Sequence, residues 1–140
     1  MTDINPQDLA GRYIALWNEP DAALRRKAIQ VLWAEDGAHI LQPPVEIREA
    51  AAALGFDSTT LEAHGYGALE ARVTRSYDRF VAPGQYTFQP RDNAVCLHNV
   101  VKFNWEMIPA DGGEVAGAGL EILVLDTDGR ITTDYQFIES

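Results

Sequence analysis

One ionisable side chain interrupts an otherwise apolar helical face near the start of the chain. In the stretch RYIALWNEPD, Tyr13 shares that face with Leu9, Leu16 and Trp17, which recur at helical spacing. A buried phenol needs a hydrogen-bond partner, because an unpaired one costs about 1 to 3 kcal/mol. Tyr13 is therefore either a proton donor aimed into a pocket or a core tyrosine bonded to a backbone carbonyl.

A second ionisable group, Glu121, lies in the most apolar window of the sequence, AGAGLEILVL. Burial there disfavours the charged carboxylate and raises its pKa, unless the group is paired or faces a polar pocket. A carboxyl group in this setting donates a proton when protonated and acts as a base when ionised. The alternative is a salt bridge, either across a dimer interface or to Arg72 or Arg75.

Two further candidates, His39 and Asp36, lie around the exit of the second predicted helix. His39 alternates with Ala38 and Ile40, and a histidine facing a cavity can carry a proton near working pH. Asp36 is placed to orient His39. The alternatives are a satisfied core or surface histidine and a solvated acid at a helix end.

The sequence contains no pattern for a metal or a cofactor. His39, His64 and His98 have no metal-ligand spacing among themselves. The GAG at 117–119 lies inside a predicted strand with no helix after it, so it is not a nucleotide-binding loop. Small residues there favour sheet curvature or close packing. We therefore expect neither a metal nor a cofactor.

Helical patterns dominate the first half of the chain. A first helix has Asn5 as N-cap and stops before Pro20, and a second runs from an Asp21 cap to Gly37. The apolar stripe of the second helix consists of Leu24, Ala28, Val31 and Leu32. The segments that follow are a short strand AHIL (38–41), a small helix VEIREAAAAL (45–54), a loop or lid (56–67) and a helix ALEARVTRSYDRFV (68–81).

The second half has the texture of strands separated by turn residues. The predicted strands are QYTFQPR (85–91), NAVCLHNVVKFNWEMI (93–108), EVAGAGLEILVLD (114–126) and RITTDYQFIE (130–139). Three main helices and a short one against a mainly antiparallel sheet define an α+β class. Since 140 residues suffice for one compact core, we predict a single domain over 1–140.

Both faces of the strand at 114–126 are apolar. One face carries Glu121 with Leu123, whereas the other carries Leu120, Ile122 and Val124. An antiparallel sheet covered by helices on one side normally turns a polar face to water. A second copy of the same sheet, in a two-fold homodimer, would supply the missing cover.

Composition and charge exclude several classes of partner. The formal net charge of −10 offers no cationic surplus for nucleic acid or an anionic membrane. A lone Cys96 cannot form an intrachain disulfide, MTDINPQDL is too polar for a signal peptide, and no apolar window is long enough for a membrane span. We expect a cytoplasmic protein that binds small molecules.

Three phrases, RYIALWNEPD, LWAEDG and the closing DGRITTDYQFIE, resemble those of nuclear transport factor 2-like, or SnoaL-like, domains. The resemblance covers nearly the whole chain and implies a strongly curved sheet that folds around a long helix to form a conical pocket. Ketosteroid isomerases, polyketide cyclases and limonene epoxide hydrolases are among the relatives. This fold hosts unrelated chemistries, so the resemblance does not determine the activity.

Two residues carry over from the isomerases. Tyr13 matches the tyrosine whose phenol donates to the substrate oxyanion, and Glu121 falls at or beside the carboxylic acid that shares the oxyanion hole. The isomerase general base does not carry over, because its position on the short strand holds Leu41 or Gln42.

The epoxide hydrolases resemble the DYQF ending, which contains Asp134. They carry an arginine and an aspartate on the preceding strand, where this chain has Val100 and Lys102. The hydrolase set is therefore incomplete.

These features lead to two hypotheses of different kinds. The first is a cofactor-independent acid/base enzyme, of the isomerase, cyclase, dehydratase or hydrolase type, acting on a small apolar carbonyl-, epoxide- or ring-containing molecule. The second is a non-catalytic small-ligand-binding or dimerisation module. The residues expected to line the pocket beside the four candidates above are Trp17, Trp33, Phe56, Trp105, Asp134 and Tyr135.

Overall fold

A computed structural model describes residues 4–56 and 60–139. The helices are α1 (Pro6–Asn18), α2 (Ala22–Leu32), α3 (Val45–Ala53) and α4 (Gly65–Ser76), which continues as a π-helical turn over Tyr77–Val81. The strands are β1 (Trp33–Leu41), β2 (Leu61–His64), β3 (Tyr86–Pro90), β4 (Val95–Leu97), β5 (Val100–Pro109), β6 (Gly117–Leu125) and β7 (Ile131–Glu139). The predicted α+β class is confirmed.

The described strands form one open, mixed sheet in the order β2-β1-β7-β6-β5-β3. β3 and β4 pair with different ends of β5: β3 with residues 105–109 and β4 with residues 100–102. β1 and β7 run parallel, while all the other pairs are antiparallel. The chain thus returns from β7 to the strand that follows α2, which brings the last strand beside the first.

The two predicted helix starts are confirmed by their caps. The Asn5 side chain accepts a hydrogen bond from the Asp8 backbone N–H at 3.0 Å, with Pro6 in the first helical position. The Asp21 carboxylate accepts from the N–H groups of Ala23 and Leu24 at 2.8 and 3.1 Å. These caps fix where α1 and α2 begin.

The predicted end of the second helix is wrong. α2 ends at Leu32, and residues 33–37 belong to β1. Trp33 is completely buried and pairs with Ile131, so sheet pairing and burial outweigh the local helical pattern. Gly37 is needed inside this strand, because a Cβ there would lie 2.7 Å from Trp33 Cδ1 and 2.8 Å from the Ile131 carbonyl oxygen.

The apolar stripe assigned to α2 also differs from the buried face. Leu24 and Val31 are exposed, whereas Ile29 and Leu32 are buried together with Arg25. The Arg25 guanidinium donates to the Glu19 carbonyl at 2.7 Å and lies over the Tyr77 ring. A long stem and a planar cation allow arginine to occupy a buried position that a hydropathy pattern assigns to solvent.

Two strand boundaries differ from the predicted ones. β2 lies within the segment predicted to be a loop, where it pairs with β1; residues 57–59 of that loop prediction lie outside the described residues. The strand predicted at 93–108 is a hairpin of β4 and β5, which turns at His98 with a positive φ of 55°. β2 was not predicted because it forms by pairing with a distant strand. The turn between β4 and β5 was not predicted because its left-handed residue is a histidine and not the glycine that usually adopts this conformation.

Alternation along the strands separates an inner face from an outer one. Phe103 and Trp105 on β5 are buried, as predicted, and on β6 the inner face holds Glu121 and Leu123. α1 packs against β3 and β5, while α4 packs against β1. The helices therefore cover the inner face, and the functional candidates lie beneath them.

The outer face of the sheet retains apolar side chains without a helix over them. Leu120 and Ile122 are half-buried, and Tyr135 and Phe137, which pair with Ile122 and Leu120, are exposed. This is the face for which the sequence predicts a second cover. Among the described residues, no helix combines the length and the apolar character needed to cross a membrane.

Candidate active site

Three elements bring a phenol and two carboxyl groups together inside the core. Tyr13 from α1, Glu121 from β6 and Asp134 from β7 are each at most 1% exposed. The Tyr13 hydroxyl lies 3.1 Å from Glu121 Oε2 and 2.5 Å from Asp134 Oδ2. Tyr13 and Glu121 thus share one site, and Asp134 completes it.

The hydrogen-bond geometry assigns the protons in this cluster. Tyr13 has one hydroxyl proton, and its 2.5 Å contact to Asp134 has the length of a bond to an ionised carboxylate. Trp105 donates its indole N–H to Glu121 Oε1 at 2.9 Å. When the Tyr13 proton is donated to Asp134, a protonated Glu121 has its free oxygen, Oε2, within 3.1 Å of the Tyr13 oxygen as acceptor.

The electrostatics of the site favour the same assignment. Burial raises the pKa of Glu121 well above its usual 4.5, and the nearby Asp134 charge raises it further. Burial likewise raises the pKa of Tyr13 well above 10.0, and both carboxyl groups add to the effect. Two charged carboxylates in contact would repel each other, so the site favours a protonated Glu121.

His39 lies next to the cluster in a single tautomer. Arg72 Nη1 donates to His39 Nδ1 at 2.9 Å, so the ring proton is on Nε2 and is donated to Gln136 Oε1 at 2.8 Å. Burial lowers the pKa of His39 below 6.5, only partly offset by Asp134, whose Oδ2 lies 3.8 Å from Nε2. His39 is therefore a neutral ring locked by two partners.

The same side chains have a spacing that a metal ion could use. One ligand atom from each of His39, Glu121 and Asp134 lies within 4.8 Å of the others. Coordination through Nε2 would move the ring proton to Nδ1, where it would oppose the Arg72 N–H donor. The arrangement therefore favours shared protons over a cation.

Aromatic rings enclose the Tyr13 phenol. The rings of Trp17, Trp33 and Phe103 have their centroids 6.0, 5.7 and 5.7 Å from that of Tyr13. Three buried polar atoms here have no hydrogen-bond partner among residues 4–56 and 60–139: Trp17 Nε1, Trp33 Nε1 and Asp134 Oδ1. The site thus combines apolar walls with unpaired donors and an unpaired acceptor.

Three of the candidates taken from the sequence lie outside this cluster. Asp36 is exposed in the irregular part of β1. Because α2 ends at Leu32, Asp36 is not at a helix end from which it could orient His39. Phe56 is exposed beyond α3. Tyr135 points to the outer face, since neighbouring strand residues alternate and Asp134 points inward. Trp17 and Trp33 lie against the Tyr13 ring, and Trp105 donates to Glu121.

Two residues of the site were missed in the sequence. Gln136 shares the inward face of β7 with Asp134, and the two-residue spacing is the signal that could have found it. Arg72 was considered only as an ion-pair partner of Glu121. It instead donates to His39 Nδ1 and to the carbonyl oxygens of His39 and Leu61.

The fold places the chain among proteins with a nuclear transport factor 2-like, or SnoaL-like, architecture. A SnoaL-like protein from Agrobacterium tumefaciens, provisionally named an isomerase, is 24% identical with a TM-score of 0.76, covering 96% of this chain and 97% of its own. A nuclear transport factor 2-like protein of unknown function from Mesorhizobium loti is 16% identical with a TM-score of 0.59, covering 100% and 98%.

A protein from Sinorhizobium meliloti, provisionally named a polyketide cyclase, has a TM-score of 0.59 at 11% identity, covering 92% and 93% of the two chains. No family model and no curated protein matches the sequence. At these identities, the similarity demonstrates the fold and leaves the activity to be argued from the site.

Proposed function

We propose that this protein is a cofactor-independent acid/base enzyme acting on a small, largely apolar molecule with a carbonyl, epoxide or ring oxygen. The observation that carries the proposal is the Tyr13 hydroxyl between two buried carboxyl groups, beside an unpaired Asp134 Oδ1. Burying two acids and leaving an acceptor unpaired costs stability. Such costs concentrate where a protein needs perturbed acids and bases for chemistry.

The roles follow from the proton positions. A substrate oxygen that replaces Asp134 as the acceptor of the Tyr13 proton would be held by Tyr13, whose own oxygen accepts from protonated Glu121. Asp134, released from that bond, would take a proton from the substrate and return it at another atom. Proton removal and return balance, so no oxidant or co-reactant is needed.

This assignment supplies a base from a different strand than the isomerase pattern does. Leu41 and Gln42 occupy the end of β1 and the residue after it, and neither can accept a proton as a carboxylate does. Asp134 on β7 pairs in parallel register with His39, two residues before Leu41. The isomerase and cyclase names given to two proteins of the same fold accord with proton-transfer chemistry.

A specific observation also supports the binding-module alternative. Tyr13, Glu121, Asp134 and His39 are each at most 1% exposed, so a substrate reaches them only if the surrounding structure opens. A buried polar network can also serve to specify one packing of a core. The two hypotheses make different predictions: only an enzyme has a turnover that substitution of Asp134 would lower.

Asp134→Asn tests the enzymatic proposal. The variant keeps the size of the side chain and removes the base, so turnover should fall by about a hundredfold or more. Wild-type protein is first screened for thermal shifts with small ketones, lactones and epoxides, and the stabilising compounds are assayed for turnover. Asp92→Asn, at an exposed position, is the control. Equal turnover in both variants, or none in wild type with any compound that binds, would support the binding module.

We also propose a two-fold homodimer through the outer face of the sheet. Its centre would be the apolar residues Leu120, Ile122, Tyr135 and Phe137, bordered on β5 by Lys102. Burial of such a face is favourable at about 25 cal/mol per Å² of apolar area. The proposal assigns to a second copy the cover that the helices do not provide.

Light scattering at micromolar concentration should give twice 15.5 kDa. Ile122→Lys would place a buried, unpaired charge at the interface of the proposed dimer and should yield a monomer. Lys27→Ala, on the exposed side of α2, should leave the mass unchanged. A wild-type monomer would remove this interface.

A further inference from the structure

The indole of Trp105 lies flat across β6 at a residue that has no side chain. Gly119 is directly opposite Trp105 in the antiparallel register of β5 and β6. A Cβ at 119 would lie 2.2 Å from Cζ2, 2.4 Å from Cε2 and 2.8 Å from Nε1 of Trp105. These distances are far shorter than any non-bonded carbon contact, so the ring can occupy this position only over glycine.

The same placement of the ring delivers its N–H to the acid of the site. Glu121 follows Gly119 by two residues on the inner face of β6, and its Oε1 accepts from Trp105 Nε1 at 2.9 Å. Phe88 also packs against the indole in a T-shaped contact, with ring centroids 5.8 Å apart. The ring thus contacts both Phe88 and Gly119, and its N–H donates to Glu121.

We infer that Gly119 is a positioning residue that acts through Trp105 on Glu121. The missing side chain admits the indole, and the indole N–H then determines which carboxyl oxygen of Glu121 carries the acid proton. With Oε1 engaged by the indole, Oε2 is the oxygen left for the acid proton, and it lies 3.1 Å from the Tyr13 oxygen. Gly119 therefore sets the direction of the proton chain from Glu121 through Tyr13 to Asp134.

Other groups around Glu121 act in different directions. Asp134 on β7 opposes the ionisation of Glu121, whereas the hydrogen bond that Trp105 donates and the contact with the Tyr13 hydroxyl favour its charged form. His39 on β1 has a ring nitrogen within 4.8 Å of a carboxyl oxygen of Glu121 and of Asp134. Its ring is neutral, because Nδ1 accepts from Arg72. Arg72 on α4 is held by His39. Of these contacts, the Trp105 bond is the one that depends on residue 119.

Gly117 provides a matched control on the same strand face. Gly117 is directly opposite Met107, just as Gly119 is opposite Trp105. A Cβ at 117 would lie 3.6 and 3.9 Å from Met107 atoms, which are ordinary contacts. Gly117→Ala and Gly119→Ala therefore make the same chemical change two residues apart, and only the second should displace an indole.

The test measures the indole and the carboxyl group directly. In Gly119→Ala, the ¹⁵N–¹H signal of the Trp105 indole should move towards that of a free indole and exchange faster with solvent. The ¹³C-detected titration of Glu121 should move to higher pH, because a hydrogen bond that favours the charged form is lost. Gly117→Ala should retain the wild-type signals. Identical signals in both variants would overturn the inference.

A second substitution keeps the inference testable if Gly119→Ala does not fold. Trp105→Phe removes the N–H and the atoms that collide with residue 119, so it should move the Glu121 titration in the same direction. In that background, Gly119→Ala should lower the melting temperature much less than in wild type. An equal loss in both backgrounds would show that Gly119 acts independently of Trp105.

The importance of the Gly119–Trp105–Glu121 arrangement for catalysis rests on the proposed function, but the NMR measurements that test the arrangement do not. A protein without turnover could still show the shifted indole and the shifted titration. Conversely, unchanged signals in Gly119→Ala would leave the roles of Asp134 and Tyr13 intact. The two proposals can therefore fail separately.

Discussion

Glu121→Gln should make the protein more stable at pH 7 while impairing proton transfer. The folded state keeps Glu121 protonated, whereas the unfolded chain ionises it near 4.5. Folding at neutral pH therefore requires uptake of a proton. This uptake lowers the free energy of unfolding by about 1.4 kcal/mol for each pH unit above 4.5 in which Glu121 stays protonated in the folded state. A glutamine reproduces the acid, with an oxygen for Trp105 and an N–H donor for Tyr13, and needs no proton.

The pH dependence of stability should identify Glu121 as the cause. Because the pKa of Glu121 is raised on folding, the folded protein binds more protons than the unfolded chain above pH 4.5, and stability falls as pH rises. His39 acts with the opposite sign: its pKa is lowered on folding, so stability is lost as pH falls below 6.5. Glu121→Gln should remove the first slope and retain the second.

Urea unfolding between pH 4.5 and pH 8 measures both slopes. In thermal unfolding, each kcal/mol added to the free energy of unfolding should raise the melting temperature by about 2 to 8 °C. Glu114→Gln, in the exposed loop before β6, is the control and should match wild type at every pH. A Glu121→Gln variant that is less stable than wild type at pH 7 would mean that Glu121 is ionised and paired.

Tyr13→Phe should destabilise the protein and reduce turnover together. The ring contacts with Trp17, Trp33 and Phe103 remain, but Asp134 Oδ2 loses its 2.5 Å donor and Glu121 Oε2 loses its acceptor. Each buried polar group left unpaired costs about 1 to 3 kcal/mol. Removal of a donor from a developing oxyanion typically lowers the rate by about a hundredfold.

Tyr66→Phe provides the comparison for a structural tyrosine. The Tyr66 hydroxyl donates to the Trp33 backbone carbonyl at 3.0 Å, which is the arrangement that the sequence also allowed for Tyr13. Its loss should cost about 1 kcal/mol and leave turnover unchanged. Thermal unfolding and initial rates on the same compound separate the two variants. A Tyr13→Phe variant that behaves like Tyr66→Phe would remove Tyr13 from the mechanism.

Local patterns predicted the parts of the site that depend on one element at a time. Helical spacing placed Tyr13 on the inner face of α1, and an acid in an apolar strand indicated that Glu121 was buried. Their meeting across 108 residues was expected only through the resemblance to known isomerases. Asp134, 121 residues from Tyr13, was expected as a pocket residue and is instead the direct partner of the phenol.

The helix caps, the inner and outer faces of β5 and β6, and the α+β class were predictable from local patterns, because each depends on residues close together in the chain. Three other features depend on contacts between distant segments: β1 begins at Trp33, β2 pairs within a predicted loop, and Leu123 of β6 lies opposite Asp134. Strand register depends on which side chains of distant segments can be buried together in the core. That register brings Asp134 within hydrogen-bond distance of Tyr13.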